Sequence, residues 1–244
     1  MLLDDERIDD LEFKNLKIIQ SDSCFCFGID AVLLSDFAKE IKKDSIVADL
    51  CSGNGIISIL LSGKTKAARF YAVEIQEKIA DMALRSIKLN NLENKIDVLN
   101  IDLKKLPNEF KPNSFDAIVC NPPYKKANSG IENTNTEKLI ARHEILCTLE
   151  DVISVSSKLL KNNGSMYMVH RPERLADIMY LFRKYKIEPK LLQFIQPYKN
   201  KAPNLVLIKA VKNVNSFLKT LPTLIVYNND GSYTNEILKI YNIN

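Results

Sequence analysis

The sequence predicts a doubly wound, Rossmann-like α/β fold with a mostly parallel sheet and an antiparallel hairpin at the C-terminal edge. From residue 45 onward, short apolar segments typical of buried strands alternate with amphipathic segments typical of helices. This alternation indicates a parallel sheet covered by helices. The last two predicted strands, 187–198 and 204–212, have no helix between them, so we expect them to pair antiparallel.

The composition is that of an ordinary globular protein. The chain has 244 residues, of which 46% are hydrophobic and 26% charged, and a chain of this length needs no disulfide or metal ion to fold. Its five cysteines form no C-x-x-C pair and it has two histidines, so no metal site is predicted and Cys24 and Cys26 are interpreted as core thiols. No apolar run approaches the roughly 18 residues of a membrane helix, and the acidic N-terminus is unlike a targeting peptide. Together with the free cysteines, this predicts a cytoplasmic protein that binds no membrane.

The elements divide into an extension and a main domain. Residues 1–44 should form a hairpin between 16–20 and 24–28, followed by a helix over 30–41 that Asp30 caps. The main domain, 45–244, comprises a core over 45–213 and a tail over 214–244 with a strand, a turn at Asp230–Gly231 and a short helix. The predicted core strands are 45–50, 69–75, 95–102, 114–121 and 165–170, and the predicted core helices are 56–64, 77–92, 137–161 and 171–185. The polar segment 125–136 is predicted to be a mobile loop.

Charge is distributed unevenly along the chain. Residues 1–44 carry 6 basic and 11 acidic side chains, residues 45–150 carry 14 and 13, and residues 151–244 carry 14 and 6. A polyanion that met the C-terminal part would be attracted to it. The alternative is that these lysines and arginines form an ordinary solvated surface.

Acidic residues lie at the ends of three successive core strands. Asp49 opens the segment D-L-C-S-G-N-G, in which Gly53 and Gly55 let the backbone approach a ligand. Glu74 follows Gly55 by 19 residues, close to the roughly 20 expected of a carboxylate that holds a ribose diol, and Asp102 could meet an adenine amino group. The third glycine of the dinucleotide fingerprint is absent, which disfavours NAD and FAD. The pattern favours S-adenosylmethionine, which has an adenosine, no phosphate and a positive sulfonium; the alternative is three polar strand ends by chance.

The segment Asn121-Pro122-Pro123-Tyr124 follows the fourth core strand, at the sheet edge where open α/β folds bind ligands. A planar amino nitrogen is a poor nucleophile because its lone pair is delocalised. The Asn121 side-chain oxygen and the Pro122 carbonyl could accept its two hydrogens and stabilise the positive charge that develops during transfer. Tyr124 could stack on the flat substrate. No strong general base is needed, since the product nitrogen loses its proton easily.

These motifs together resemble the class I S-adenosylmethionine-dependent methyltransferases that act on planar amino nitrogens, over about residues 45–213. The segments L-K-I-I-Q, F-G-I-D-A-V-L-L-S-D-F-A, A-R-H-E, K-A-P-N-L-V-L-I-K and G-S-Y-T-N-E-I are similar to the bacterial valine-tRNA adenine-N6 methyltransferase family. Members of that family modify the adenine 3′ of the anticodon. The resemblance implies S-adenosylmethionine as cofactor, S-adenosylhomocysteine as product, and RNA, specifically a tRNA, as partner, with no metal. It gives no indication of oligomeric state.

The resemblance also assigns roles to individual residues. Asn121, Pro122, Pro123 and Tyr124 would hold the target amine. The cofactor would be held by Asp49, Gly53, Gly55, Glu74 and Asp102, with Gly28 and Asp30 near its methionine end. Lys125, Lys126 and Arg142 could contact RNA phosphates or be ordinary solvated residues. His143 is interpreted as structural, and Cys51 and Ser52 are given no chemistry.

Other amine-modifying functions remain open at this point. Enzymes that methylate glutamine N5 of release factors share the N-P-P-Y chemistry but usually carry a larger N-terminal domain, whereas 44 residues precede the first core strand here. Guanine N2 of ribosomal RNA is a further alternative. A DNA adenine methyltransferase would normally need an added target-recognition region, and a binding module would have no use for N-P-P-Y beside a cofactor turn. Methylation of adenine N6 in RNA is the favoured hypothesis.

Overall fold

The computed structural model describes residues 2–24, 26–124 and 146–243. Within these ranges the strands are β1 Glu6–Asp10, β2 Lys17–Ser21, β3 Ile46–Leu50, β4 Arg69–Glu74, β5 Ile96–Asn100, β6 Phe115–Cys120, β7 Leu160–His170, β8 Ile187–Gln196, β9 Leu205–Lys212, β10 Lys219–Thr220 and β11 Leu224–Ile225. The helices are α1 Ile29–Phe37, α2 Ile56–Lys64, α3 Glu77–Leu89, α4 Leu106–Glu109, α5 Leu149–Leu159, α6 Leu175–Lys184 and α7 Asn235–Ile240. None of these helices is long and apolar enough to cross a membrane.

A nine-stranded sheet forms the centre of the molecule. Its strand order is β10-β8-β9-β7-β6-β3-β4-β5, and β11 also pairs with β8. Strands β3 to β7 are parallel to their neighbours among themselves, whereas β9 is antiparallel to both β7 and β8. The predicted fold class and its antiparallel hairpin are therefore confirmed. The outer edge of β8 is covered by the two short strands β10 and β11, which protects an edge that could otherwise pair with another chain.

Both faces of the sheet are buried, because successive strand residues point to opposite sides. Val47 and Val119 pack into one apolar cluster with α1, α2 and α3. Ala48 and Ile118, their chain neighbours, pack into a second cluster with α5 and α6. The continuous apolar runs of the core strands reflect this burial on both sides.

The order of the strands locates the site. The chain runs from β3 outward through β4 to β5, and then returns to place β6 on the other side of β3. Such a reversal opens a crevice at the carboxyl ends of β3 and β6, which is where ligands bind in open α/β sheets. Both principal motifs, Asp49–Gly55 and Asn121–Tyr124, follow these two strands.

The predicted N-terminal hairpin is wrong in its pairing. Strand β2 pairs with β1, from Glu6 opposite Ser21 to Asp10 opposite Lys17, and residues 24 and 26–28 form no strand. No strand was predicted for the charged segment β1, which long-range contacts hold in place: Glu6 accepts two hydrogen bonds from the Arg85 guanidinium on α3. Cys24 packs with Ile19 and α3, which confirms it as a core thiol.

Several predicted helices differ at their ends. Helix α1 covers Ile29–Phe37 with Gly28 at its N-cap, so the expected capping by Asp30 is wrong; the Asp30 carboxylate lies inside the first turn. Helix α3 ends at Leu89 rather than at residue 92. Within the predicted helix 137–161, α5 begins at Leu149 behind a capping box between Thr148 and Asp151, and residues 137–145 lie outside the described residues. The predicted loop 125–136 also lies outside them.

The C-terminal tail has the predicted order of strand, turn and helix. After β11, Tyr227 and Tyr233 form an antiparallel bridge across the turn, and α7 follows. Val226 and Ile237 from the tail are buried in the cluster that also contains α1. The tail therefore covers α1, the helix that begins beside the crevice.

Candidate active site

A cavity of about 870 Å³ occupies the crevice at the carboxyl ends of β3, β4 and β6. Its volume lies within the range of roughly 300–1,000 Å³ typical of sites for small ligands. It brings together most of the residues that the motifs singled out: Asp30, Gly53, Glu74, Asp102, Asn121, Pro122, Pro123 and Tyr124. Of the other predicted cofactor residues, Gly28, Asp49 and Gly55 are described but are not among those that line the cavity.

The turn after β3 is shaped by residues in the left-handed region. Cys51, Gly53 and Gly55 have φ angles of 58°, 56° and 84°, a conformation that glycine adopts without strain. A Cβ atom added to Gly53 would meet nothing within 4 Å, whereas one on Gly55 would contact Ala83 on α3 at 3.5 Å. Gly53 thus leaves the cavity wall open. The contact at Gly55 is an ordinary one, so glycine is favoured there by its left-handed backbone.

Asp49 lies beneath this turn rather than on the cavity wall. It is fully buried, and its Oδ2 accepts hydrogen bonds from the Ser58 amide at 3.1 Å and the Ser58 hydroxyl at 2.8 Å. Burial raises the pKa of the Asp49 carboxyl to about 7. Its Oδ1 has no hydrogen-bond partner among the described residues. The structure therefore gives Asp49 a supporting role at the start of α2, which the strand-end position alone did not reveal.

Glu74 and Asp102 supply acidic groups at the ends of β4 and β5 in the cavity. Glu74 is 6% exposed; its Oε2 accepts from the Gly53 amide at 3.0 Å and its Oε1 from the Gln76 amide at 2.9 Å. Burial raises the pKa of Glu74. Asp102 lies two residues beyond β5, where it accepts from the Lys104 amide at 2.9 Å. Each carboxylate oxygen keeps acceptor capacity for a ligand hydroxyl or amino group.

The walls between these carboxylates are apolar. They are formed by Val73, Ile75, Ile79, Ile101 and Leu103. Apolar walls with a few acceptors suit a planar adenine and a ribose, which bury a flat ring and present hydroxyl and amino hydrogens. This part of the cavity, which we call the cofactor half, fits the adenosine of S-adenosylmethionine. Among the described residues no group of three or more potential metal ligands is found.

The N-P-P-Y segment and Asp30 form the other part, which we call the amine half. The Asp30 carboxylate, 8% exposed, accepts at Oδ2 from the Tyr124 hydroxyl at 2.7 Å and from the Asn121 side-chain amide at 3.3 Å. The Tyr124 hydroxyl also lies against Asn121 Oδ1. Burial and the neighbouring Asp30 raise the pKa of Tyr124 well above its ordinary value, so the hydroxyl stays protonated.

Two residues that the motif search missed flank the Tyr124 ring. The Arg171 guanidinium lies 5.3 Å from the ring centroid, a cation–π distance, and the His170 ring lies 5.3 Å away, tilted by 59°. Burial lowers the pKa of His170 to about 4, so this imidazole is neutral. Both residues lie at the end of β7, and the carboxyl-edge rule applied to the predicted strand 165–170 would have found them.

The predicted RNA contacts Lys125, Lys126 and Arg142, and the structural assignment of His143, lie outside the described residues. They stay predictions. Cys51, given no chemistry, lines the cavity together with Cys147, and their sulfur atoms are 3.8 Å apart.

The chain matches solved methyltransferase structures in fold. A predicted O-methyltransferase from Agrobacterium tumefaciens superimposes with a TM-score of 0.68 at 21% identity, covering 87% of this chain and 95% of that one. The Methanocaldococcus jannaschii protein TYW2, solved in complex with AdoMet, superimposes with a TM-score of 0.59 at 14% identity, covering 86% and 87%. These similarities show the fold.

Comparison of the amino-acid sequence with known proteins identifies named relatives and a family. The chain is similar to a tRNA1(Val) (adenine(37)-N6)-methyltransferase of Porphyromonas gingivalis, at 27% identity over 95% of this chain and 93% of that protein. It is 24% identical to the protein of the same name from Aliivibrio salmonicida, over 86% of each. The model of the methyltransferase small domain family matches residues 13–186. The chain therefore belongs to the methyltransferase small domain family, and the methyltransferase class predicted from its motifs is confirmed.

Proposed function

We propose that this protein transfers a methyl group from S-adenosylmethionine to the exocyclic N6 of an adenine in RNA, and that the target is the adenine 3′ of the anticodon in a valine tRNA. The observation that carries the proposal is that one cavity joins an adenosine-type half, with Glu74 and Asp102, to an amine half built from Asn121–Tyr124. The tRNA target is supported by the names of relatives that span nearly the whole chain.

The cofactor half would hold S-adenosylmethionine, which supplies an electrophilic methyl group on its sulfonium when bound. Glu74 would accept hydrogen bonds from the ribose hydroxyls, and Asp102 would accept one from the adenine amino group. Gly53 presents its backbone without a side chain in the way. The negative charge of the two carboxylates also favours a positively charged cofactor.

The amine half prepares the target nitrogen. Asn121 Oδ1 and the Pro122 carbonyl accept the two N6 hydrogens, which directs the nitrogen lone pair at the methyl group. As the methyl group moves, positive charge develops on N6 and the two oxygens stabilise it. Tyr124 stacks on the adenine. Because its hydroxyl remains protonated, Tyr124 is no base, and the proton released after transfer passes to solvent.

An adenine in an anticodon loop suits this site because it can leave its stack at little cost. Arg171 and Arg174 are among the residues that line the cavity, and both belong to the basic C-terminal part of the chain. Contacts from such side chains to phosphates position RNA without reading its sequence.

The proposal is tested by methyl transfer to synthetic tRNAs. A valine tRNA transcript should accept one methyl group, recovered as N6-methyladenosine after digestion. A matched transcript with guanine in place of the adenine 3′ of the anticodon should accept none. Equal methylation of both transcripts would overturn the assigned position. Label in N2-methylguanosine, or in the glutamine of a release factor instead of RNA, would replace adenine by one of the alternative amines.

A further inference from the structure

Asp30 contacts the catalytic segment from a distant part of the chain. It lies in the first turn of α1, while Asn121 and Tyr124 follow β6, 91 and 94 residues away. Its Oδ2 is the shared acceptor for both side chains, and its Oδ1 accepts from the Ala31 amide at 3.0 Å. The carboxylate is therefore fixed to α1 by one oxygen and holds the amine half by the other.

This contact determines how the Asn121 amide is oriented. A carboxylate only accepts hydrogen bonds, so the group that faces Asp30 has to be the amide nitrogen, a donor. The amide oxygen then lies against the Tyr124 hydroxyl, on the other side of the same amide group. A rotation of 180° would place Oδ1 against the carboxylate, where two acceptors repel. Asp30 thus fixes position 121 with its acceptor away from the carboxylate, and this oxygen has a second lone pair for a hydrogen of the target amine.

The same carboxylate accepts the hydrogen bond that the Tyr124 hydroxyl donates. The hydroxyl lies between Asp30 Oδ2 and Asn121 Oδ1, but it has one proton and can donate it once. An ionised carboxylate is the stronger acceptor. Because the hydroxyl donates its hydrogen bond to Asp30, the lone pairs of Asn121 Oδ1 are left for the N6 hydrogens of the substrate, and the Tyr124 ring is held by its hydroxyl.

Gly28 leaves room for this arrangement. A Cβ atom at position 28 would lie 3.0 Å from Asp30 Oδ1, so a side chain there would push the carboxylate by a few tenths of an ångström. The φ angle of Gly28 is −111°, which any residue can adopt. The glycine is therefore explained by the space that the Asp30 carboxylate needs, and not by backbone conformation.

We propose that Asp30 is a positioning residue for methyl transfer: it orients the Asn121 amide with its oxygen toward the substrate and fixes Tyr124, without contacting the target amine. This inference rests on the proposed function of the N-P-P-Y segment and deepens it. It predicts that Asp30 affects the chemical step more than the binding of cofactor or RNA.

The first test is the variant Asp30→Asn, with Glu40→Gln as the matched control, since Glu40 is an exposed acid just beyond α1. Asp30→Asn should lower kcat by about 10- to 100-fold, the usual effect of removing a partner that orients a functional group. The KM for RNA and the Kd for S-adenosylmethionine, measured by calorimetry, should stay within about threefold of wild type. A large rise in the cofactor Kd with unchanged kcat would instead make Asp30 a cofactor ligand and overturn the proposal.

The second test exchanges the side chains at positions 30 and 121. Asn121→Asp alone places two carboxylates in contact, and repulsion between like charges opposes the ionisation of both groups. We therefore expect very low activity from this variant. In the double variant Asp30→Asn with Asn121→Asp, the amide at position 30 again donates to an acceptor at position 121. The double variant should be at least about tenfold more active than Asn121→Asp alone. Equal activity of the two would contradict a positioning role.

A third measurement needs no substrate. The side-chain NH₂ signal of Asn121 in a ¹H–¹⁵N spectrum, assigned by its absence in Asn121→Asp, should shift in Asp30→Asn and stay in place in Glu40→Gln. An unmoved signal would overturn the proposed contact. This readout also separates the two proposals: if wild-type protein methylates no RNA adenine, the proposed function fails, while the spectrum still reports whether Asp30 orients Asn121.

Discussion

The two halves of the cavity are built differently. In the cofactor half, Glu74 is held by backbone amides of Gly53 and Gln76. The first contact joins the ends of the neighbouring strands β3 and β4, and the second is local to the end of β4. In the amine half, Asn121 and Tyr124 are held by a side chain from α1, about 90 residues earlier in the chain. If the proposed function holds, cofactor binding depends on the geometry of the sheet edge, whereas orientation of the target amine depends on how α1 packs beside the end of β6.

Substitution of Asn121 gives the sharpest separation of the two halves. Asn121→Ala should reduce methyl transfer by at least about 10²- to 10³-fold, because it removes an acceptor that stabilises charge in the transition state. The Kd for S-adenosylmethionine should stay near the wild-type value, since the side chain faces the amine. Calorimetry and single-turnover transfer measure the two effects. Loss of cofactor binding in parallel with transfer would show that the halves are not independent.

Glu74 tests the comparison from the other side. Glu74→Ala should raise the Kd for S-adenosylmethionine by roughly 10- to 100-fold, which corresponds to the loss of hydrogen bonds to a charged group. At saturating cofactor, kcat should change by no more than a few fold. If Glu74→Ala bound the cofactor normally but transferred the methyl group slowly, Glu74 would belong to the amine half instead.

Added salt should weaken the binding of tRNA much more than the binding of S-adenosylmethionine. Raising the salt concentration from about 50 to 200 mM should increase the KM for tRNA by about tenfold or more, since bound RNA displaces counterions from its phosphates. The Kd for S-adenosylmethionine, a small ligand without phosphates, should change less than twofold. Steady-state kinetics and calorimetry over the same salt series provide the comparison, and an unchanged KM would argue against a polyanionic substrate.

The buried carboxyl group of Asp49 should make the stability of the protein depend on pH. The folded state raises its pKa to about 7 from an ordinary 3.8, so between these values the folded protein holds a proton that the unfolded chain has lost. The contribution of Asp49 to the free energy of unfolding is therefore largest at low pH, and it is lost as pH rises through about 7.

The variant Asp49→Asn cannot titrate at this position. Its free energy of unfolding relative to that of wild type should thus increase between about pH 5 and pH 8. The increase should be a few kcal/mol at most, because one pKa unit corresponds to about 1.36 kcal/mol. Urea denaturation at several pH values measures the difference. Parallel pH profiles for the two proteins would show that the carboxyl is ionised throughout.

The smallest effect is expected for the Tyr124 hydroxyl. Tyr124→Phe keeps the ring for stacking and loses the hydrogen bond to Asp30, so kcat should fall by about three- to tenfold. Tyr124→Ala also loses base stacking, which contributes roughly 1–3 kcal/mol, and should raise the KM for RNA as well. Identical kinetics of the two variants would mean that the ring makes no contact with the substrate.

The sequence predicted what depends on local pattern and strand order. The turn with Gly53 and Gly55, the strand-end Glu74 and the segment Asn121–Tyr124 were all identified because parallel strands bring their carboxyl ends to one edge. The contact of Asp30 with Asn121 could not be derived in the same way, since it depends on packing between segments about 90 residues apart. The pairing of β1 with β2 was missed for a related reason: the charges of β1 are neutralised by partners such as Arg85, far along the chain.

The most direct test of the account is methyl transfer to total RNA. RNA from a strain that lacks this protein is incubated with the purified enzyme and labelled S-adenosylmethionine, and its nucleosides are then separated. We expect the label in N6-methyladenosine and concentrated in a single tRNA, with Asn121→Ala as the inactive control. Label in another nucleoside, or in a protein but not in RNA, would contradict adenine N6 as the target.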